Sequence, residues 1–175
     1  KLLLASEKKF AEYCFEHANS CNNNEEQNRY FEVIHQLKNF SDVMHASFQQ
    51  ELTKSYQSFE DGHEDEVSPN DHHIDLNQLS LVNREELEEK LAVSVIISKA
   101  NSRNSEILWK LNRRIAVLRG GKIVDDESNP FGPTKVCGAM QIAVSQLEID
   151  IKFKIIIYKH IGDAFVSSFN KELNN

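Results

Sequence analysis

Three acidic residues are each followed, three positions later, by a histidine, which is the spacing that di-iron helix bundles use. The pairs are Glu32 with His35, Asp42 with His45, and Glu60 with His63. A carboxylate and an imidazole at this spacing share one face of a helix and could bind the same metal ion. A di-iron centre needs such motifs on different helices, whereas all three pairs fall on one predicted helix or at its end. The pairs are therefore weak metal candidates; solvated surface pairs are favoured, and no cofactor is predicted.

A second group of metal-ligating residue types comprises Cys14, His17 and Cys21. Thiolate and imidazole ligands suit zinc, which takes four ligands in a structural site. Only three are present locally, and Cys21 follows the predicted end of the first helix. We therefore expect Cys14 to be a small buried side chain and His17 to be solvated, without a metal.

A third group lies between residues 62 and 77, where His63, His72 and His73 are interspersed with acidic residues. The segment also contains Pro69 and has no Lys or Arg. It could bind a divalent ion weakly or titrate in mild acid, because histidine changes charge near neutrality. The same composition is typical of a solvated linker. We therefore predict a flexible acidic linker over residues 62–77.

A basic cluster ends the third predicted helix. It comprises Lys110, Arg113, Arg114, Arg119 and Lys122. Guanidinium groups bind phosphate and carboxylate, so the cluster could receive a nucleotide or an acidic partner. It also complements the negative end of the helix dipole without any ligand. It is the charged docking surface that the sequence favours, with its three arginines as docking candidates.

Residues 125–133 read Asp-Asp-Glu-Ser-Asn-Pro-Phe-Gly-Pro, a motif-dense loop that a bundle with short connections does not require. Loops held by a rigid scaffold often carry binding residues. The docking candidates here are Asp125, Asp126, Asn129 and Phe131. A structural role is the favoured alternative, because Pro and Gly build turns and can start the next helix. Phe131 would then be either a buried plug or an exposed anchor.

Long helices must position these residues, because glycine and proline interrupt the chain rarely. Apolar residues recur at steps of three and four, which predicts helices over residues 2–19, 24–61, 84–118, 134–147 and 149–173. Asn24 is predicted as the N-cap of the second helix. That helix would be about 55 Å long. An elongated bundle, a kink near Phe40 and Ser41, or a covering partner would each accommodate it.

The same spacing predicts which side chains form the core. On the second helix they are Phe31, Ile34, Met44, Phe48, Leu52 and Phe59. On the third helix the stripe comprises Leu87, Leu91, Ser94, Ser98, Leu108, Ile115 and Leu118. Trp109 is also expected in the core.

Residues 149–155 alternate between apolar and polar types, which is also typical of a β-strand. The same segment continues a helical stripe through Tyr158, Phe165 and Phe169. No second strand-like run exists to pair with it, and an isolated strand cannot satisfy its backbone hydrogen bonds. We therefore predict an all-α single domain, an elongated bundle of about five helices with two long ones.

Composition narrows the functional classes. The chain has 27 acidic and 20 basic residues, which disfavours nucleic acid and anionic membranes as partners. Three scattered cysteines fit a reducing cytoplasm better than a disulfide framework. No apolar run reaches the roughly 20 residues of a membrane span. We expect a cytoplasmic protein and, because the chain begins at Lys1 without Met, a fragment of a longer one.

Four segments of the chain, residues 26–32, 81–89, 112–133 and 147–159, carry a family resemblance. In this order they resemble the N-terminal part of a bacterial family catalogued as domain of unknown function 1631. Its members are several times longer and are sometimes labelled thymidine-phosphorylase-related. The resemblance implies a bacterial cytoplasmic protein and carries over no catalytic residue. Gly120 and Gly121 are the only adjacent glycines and suit a helix C-cap, so the phosphorylase label finds no support.

The leading functional prediction is a non-catalytic interaction or regulatory module of a larger bacterial cytoplasmic protein. It rests on the long helices, on the resemblance, and on the lack of a catalytic motif such as Gly-x-Ser-x-Gly. We expect a protein partner, or self-association through the apolar face of the second or third helix. One alternative is a metal-dependent, di-iron-like helical enzyme that uses the Glu-x-x-His pairs. Another is a nucleotide or phospho-ligand sensor that uses Arg113, Arg114 and Arg119.

Overall fold

The computed structural model describes residues 2–62 and 84–172, which form five α-helices. They are α1 (Leu2–Ser20), α2 (Asn24–Glu60), α3 (Arg84–Leu118), α4 (Pro133–Ser145) and α5 (Ile151–Glu172). The predicted all-α bundle is confirmed over these residues, and so is the helix, rather than a strand, after residue 150. The linker predicted at residues 62–77 lies outside the described residues beyond Gly62, together with its histidines. None of the described helices combines the length and apolar character needed to cross a membrane.

The helices pack around the two long members, α2 and α3, which have 37 and 35 residues. Helix α1 lies along the first half of α2 and also packs on α5. Helix α5 packs on the first half of α3. Helix α4 lies against the second half of α2 and reaches the middle of α3, where Val136 packs on Ala100 and Phe165. Helices α1 and α4 therefore pack on α2, and helices α4 and α5 pack on α3.

Buried aromatic and aliphatic side chains from all five helices form the core. The largest fully buried apolar ones are Phe10, Met44, Leu108, Met140, Leu147, Ile157, Phe153 and Tyr158, of which Leu147 lies between α4 and α5. Each such side chain contributes about 1.5–3 kcal/mol when it leaves water. The buried Tyr158 hydroxyl donates a hydrogen bond to Glu89, so α5 is also tied to α3 by a polar contact.

The helix ends follow recognisable caps. Asn23, in an extended conformation, accepts the Glu25 N–H at 2.9 Å, so the N-cap of α2 is Asn23 and not the predicted Asn24. After α3, Gly120 and Gly121 have φ of 69° and 90°. Their N–H groups donate to the carbonyls of Val117 and Ala116 at 3.1 and 2.8 Å. This Schellman pattern confirms the predicted C-cap.

The interruption of a long helix occurs in α3 and not in α2. Helix α2 passes Phe40 and Ser41 as continuous α-helix. Helix α3 contains a non-helical residue, Asn104, with φ −117° and ψ 16°. The Asn104 side-chain amide donates to the Ala100 carbonyl at 3.0 Å. Side chains that hydrogen-bond the preceding turn bend helices, which accounts for the kink at this position.

The predicted core stripes are partly wrong. On α3, Leu108 and Ile115 are buried as predicted, but Leu87, Leu91 and Leu118 are exposed. The buried positions of that helix are Val93, Ile96, Ala100, Asn104, Leu108, Asn112 and Ile115. On α2 the buried residues are Val33, Leu37 and Met44, whereas Phe31 is exposed. Apolar side chains occur on more than one face of each long helix, and spacing alone does not identify the face that has neighbours.

Candidate functional site

The second half of α3 and the loop after it border a groove of about 450 Å³. Its walls include Trp109, Arg113 and Ala116 from α3, and Ile123, Asp125 and Asp126 from the loop. We call it the Trp109 groove. The turn at Gly120 and Gly121 reverses the chain, so that the loop runs back along α3. Three of the residues predicted for docking, Arg113, Asp125 and Asp126, thus line one groove.

Amide hydrogen bonds hold the loop against α3. Asn129 donates from Nδ2 to Asn112 Oδ1 at 2.6 Å, and Asn112 donates from Nδ2 to Asp126 Oδ1 at 2.9 Å. Asn129 Oδ1 accepts the backbone N–H of Phe131 at 2.9 Å. Asn129 is fully buried and Asn112 almost so. Buried amides that satisfy each other specify one arrangement, because breaking the set leaves polar groups unpaired.

Asp125 builds the turn at the start of the loop. Its Oδ1 accepts the backbone N–H of Glu127 at 3.2 Å and that of Ser128 at 2.8 Å. It also accepts the Ser128 hydroxyl at 2.6 Å. The hydrogen bonds from Ser128 lower the pKa of the Asp125 carboxyl because they stabilise its charged form. Asp125 therefore stabilises its own turn by accepting hydrogen bonds from the next residues, as an aspartate does in an Asx-turn.

Gly132 closes the loop where no side chain would fit. A Cβ atom there would lie 2.9 Å from the Asp126 carbonyl oxygen and 3.1 Å from that of Asn129. Pro133 follows at the first position of α4, as its fixed φ favours. The predicted Asn-Pro-Phe-Gly-Pro turn therefore joins a buried anchor to a helix start.

Trp109 lies on the surface, although the sequence predicted it in the core. Its side chain is 56 % exposed. Leu108 and Asn112 occupy the buried face of α3 at this level, and Trp109 projects about 100° from Leu108 around the helix. The Arg113 guanidinium carbon lies 4.9 Å from the centroid of the Trp109 ring. This is a cation–π contact between two side chains that both reach solvent.

The other predicted docking residues lie apart from this pair. Arg119 stacks on Phe59 at the end of α2, with its guanidinium carbon 4.2 Å from the ring centroid. Phe131 is half exposed and packs on Tyr56 of α2, with ring centroids 5.8 Å apart. Arg114 is exposed. Because Arg113 and Arg119 stack on different rings, the geometry does not gather the arginines around one phosphate position.

The predicted metal pairs make local contacts along α2. Glu32 accepts the Gln36 amide at 3.4 Å, and the His35 ring nitrogen lies 3.1 Å from the Asn39 amide. Glu60 accepts the Tyr56 hydroxyl at 2.6 Å. His63, its predicted partner, lies outside the described residues. Within residues 2–62 and 84–172, no three His, Cys, Asp or Glu side chains cluster as a metal site would require.

The cysteine and histidine group near the end of α1 has apolar surroundings. Cys14 is fully buried, and burial raises the pKa of its thiol to about 12. His17 is half-buried rather than solvated, with its ring centroid 3.9 Å from that of Tyr13. Its Nδ1 lies 2.8 Å from the Tyr13 carbonyl oxygen. The pKa of Cys21 is also raised by burial, so neither thiol is poised as a thiolate ligand.

Sequence reasoning missed a buried carboxylate in α1. Glu7 is almost fully buried and accepts the Ser41 hydroxyl at 2.8 Å. Its other oxygen lies 2.6 Å from His45 Nε2. The signal was available, since Glu7 stands in the same helical register as the buried Leu3 and Phe10. The two contacts tie α1 to α2.

Comparison with known protein families gives one match over nearly the whole chain. The family described as "Protein of unknown function (DUF1631) N-terminal domain" matches residues 2–172. No curated protein and no solved structure matches the chain. The matched segment begins in α1 and ends in α5, so it contains the Trp109 groove, the buried amides and the Glu7 contact.

Proposed function

This chain belongs to that family of unknown function, as its N-terminal domain, and on that premise we propose that it is a non-catalytic helical interaction module of a larger bacterial cytoplasmic protein. The observation that carries the proposal is Trp109. It is the chain's single tryptophan, and it is more than half exposed beside a groove. Tryptophan and arginine are enriched among the residues that dominate binding energy at protein interfaces.

The groove suits a protein segment with one or two apolar side chains. Ile123 and Val117 are exposed on the same part of the chain as Trp109. Covering each of them would contribute about 1.5–3 kcal/mol. Arg113 and the acidic pair Asp125 and Asp126 border the groove and would orient ionic groups of both signs in the partner.

The buried amides support binding because they fix one wall of the groove beforehand. A loop that must be ordered upon association weakens binding by the entropy it loses. Here Asn112 and Asn129 hold the loop through side-chain hydrogen bonds, and Gly132 allows its close turn. A partner would thus meet a preformed surface. The three free cysteines are in keeping with the reducing cytoplasm that we propose.

The proposal is tested by comparing proteins retained by the immobilised wild-type chain with those retained by Trp109→Ala. Phe15→Ala is the matched control, because it also truncates an exposed aromatic residue, on α1. A true partner binds wild type and the control equally and binds Trp109→Ala about tenfold or more weaker. Circular dichroism of each variant verifies that the helices are retained.

Binding is then verified with the purified partner by tryptophan fluorescence. Because Trp109 is the chain's single tryptophan, its emission reports on this groove alone when the partner carries none. A partner that covers the ring shifts the emission to shorter wavelength, and Arg113→Glu weakens the interaction. If every retained protein binds Trp109→Ala as well as it binds wild type, the groove is not the docking surface.

A further inference from the structure

The first half of α3 carries a second exposed apolar surface, which shares no residue with the Trp109 groove. Leu87, Leu91 and Val95 recur every four residues and are 60, 64 and 59 % exposed. Beside them, α5 contributes Ile155, and the two helices border an apolar groove of about 460 Å³. We call these four residues the Leu91 surface. Adjacent exposed aliphatic side chains of this kind are typical of an interaction site.

The groove is built on a close contact between α3 and α5. A Cβ atom at Gly162 would lie 2.7 Å from Cγ2 of Ile96, so the absence of a side chain lets the two helices approach. Ile96 is buried beneath the groove. The Leu91 surface is therefore carried by two packed helices, and it is available without rearrangement of the core.

Charged residues border the Leu91 surface in a self-complementary order. Glu88 and Lys99 both line the groove. They stand 11 positions apart (99 − 88), about 16 Å along a helix. Their midpoint falls between residues 93 and 94, and Leu91 and Val95 stand on either side of it. A negative end, an apolar centre and a positive end thus follow one another along the helix.

We propose that a second copy of this chain covers the Leu91 surface, with the two α3 helices antiparallel about a twofold axis near residues 93 and 94. In this arrangement Glu88 of each copy faces Lys99 of the other, and Leu91 packs near Val95 of the other. A parallel pair would instead place Glu88 against Glu88 and Lys99 against Lys99. The order of charges therefore selects the antiparallel dimer, which is also the self-complementary geometry of a twofold interface.

Each of the two charges already has one partner within its own chain, and these partners extend the pattern. Arg84 donates from Nε to Glu88 at 2.9 Å, and Lys99 donates to Asp163 of α5. Across the interface the order would be Arg84, Glu88, then Lys99 and Asp163 of the second copy. The signs alternate along this row, and ion-pair networks contribute more than isolated exposed pairs. This inference goes beyond the proposed function because it uses a different surface and a different partner.

Sedimentation equilibrium between about 10 µM and about 1 mM tests the proposal, with self-association of the wild type expected in that range. Glu88→Lys alone and Lys99→Glu alone each place like charges together twice, and each should weaken association about tenfold or more. An equimolar mixture of the two variants restores both ion pairs. In the heterodimer, the lysine introduced at position 88 faces the glutamate introduced at position 99, and the native Lys99 of one chain faces the native Glu88 of the other. The mixture should therefore form heterodimers with roughly the affinity of wild type.

The mixture distinguishes a contact between two chains from an effect of the substitution within one chain. Lys99→Glu also brings a second acidic group to Asp163 of its own chain, and mixing with another variant cannot repair that change. The matched charge control is Lys54→Glu, which changes an exposed lysine of α2 and should leave association unchanged. Trp109→Ala should leave it unchanged as well, so that a failure here is distinguishable from a failure of the Trp109 groove.

Three outcomes would overturn the antiparallel dimer. One is a wild-type chain that stays monomeric at about 1 mM. Another is a mixture that associates no better than either variant alone. The third is a wild-type dimer that neither variant weakens, which would place the contact elsewhere. A monomer that binds an apolar dye, and loses it in Val95→Glu, would assign the Leu91 surface to a small ligand instead.

Discussion

Asn129 donates its side-chain amide to the side-chain oxygen of Asn112 across 2.6 Å, and this contact joins the loop after α3 to the helix that it follows. Both residues are buried, and Asn112 passes the connection on to Asp126. The loop that borders the Trp109 groove is therefore held by α3 itself, and its position depends on side-chain amides that are almost completely buried.

Asn129→Ala should lower the free energy of unfolding by about 3 kcal/mol, because it leaves Asn112 Oδ1 and the Phe131 N–H without their buried partners. Urea unfolding followed by circular dichroism measures the loss. Asn39→Ala is the control, since Asn39 is exposed on α2, and it should change stability by less than about 0.5 kcal/mol. Equal effects of the two substitutions would mean that the amides do not hold the loop.

Two glycines within helices should respond in opposite directions to alanine. Gly138 in α4 has no atom within 4 Å of its Cβ position, whereas at Gly162 in α5 the Cβ would lie 2.7 Å from Ile96. Gly138→Ala should stabilise the protein by about 0.5–1 kcal/mol through helix propensity alone. Gly162→Ala gains the same propensity but must displace a β-branched side chain, so it should destabilise by about 1–3 kcal/mol. Thermal unfolding of both variants measures the difference in sign.

The Gly162 prediction has an internal check. In the double variant Gly162→Ala with Ile96→Ala, the new methyl group occupies space that the isoleucine leaves. The double variant should therefore be more stable than the sum of the two single losses implies, because contacting residues are not additive. Strict additivity would show that the close contact between α3 and α5 is not what opposes the methyl group.

His160 should make the protein less stable in mild acid. Burial lowers its pKa below 6.5, Lys159 and Lys9 lower it further, and Asp163 partly opposes them. The unfolded chain then binds a proton more readily than the folded one, so stability is present above about pH 6.5 and falls as the pH drops through the folded pKa. Urea unfolding at about pH 7.5 and about pH 5.5 should show a smaller loss for His160→Gln than for wild type.

A substitution at an exposed histidine serves as the control for that pH dependence. His35 is exposed on α2. His35→Gln should lose as much stability between the two pH values as wild type does, because carboxylates elsewhere titrate equally in both. If His160→Gln follows the same curve as His35→Gln, protonation of His160 is not linked to unfolding.

The cysteines should react with a thiol reagent in two classes. Cys14 and Cys137 are buried, and burial raises the pKa of each thiol to about 12. Cys21 is only half-buried. Labelling of the native protein should therefore stop at one thiol, and Cys21→Ser should abolish that fast phase. Fast labelling of two or three thiols would contradict the packing of α1 and α4 described above.

The long helices were predictable because residues at their ends, such as caps and glycines, determine where each helix begins and ends. Helix α3 ends at its glycine pair as predicted, and α2 ends within one residue of the predicted limit. The face that each helix buries could not be predicted in this way, because it depends on the neighbouring helices. On α3, Leu87 and Leu91 are four positions apart and Val93 and Ile96 are three apart. Both spacings are helical, and only the position of α5 decides which set is buried. The same ambiguity of faces explains why the spacing predicts Trp109 in the core although its side chain is exposed.

The candidate site was predictable in its loop and not in its connections. The residue types of 125–133 indicated a structured turn, and the Asx-turn at Asp125 is of that kind. The anchor of the loop, Asn112, is a polar residue on a buried face, 17 positions before Asn129. A polar residue in an apolar stripe can be read as exposed or as buried with a partner, and the partner is known only once the chain has folded.

The kink at Asn104 divides α3 into two halves, whereas α2 is one continuous helix. The Leu91 surface lies on the half before the kink, and the Trp109 groove lies on the half after it. A change of the kink angle at Asn104 would therefore alter the distance and orientation between these two surfaces. Asn104→Ala would remove the hydrogen bond to Ala100 that accompanies the kink, and it would leave the residues of both surfaces unchanged.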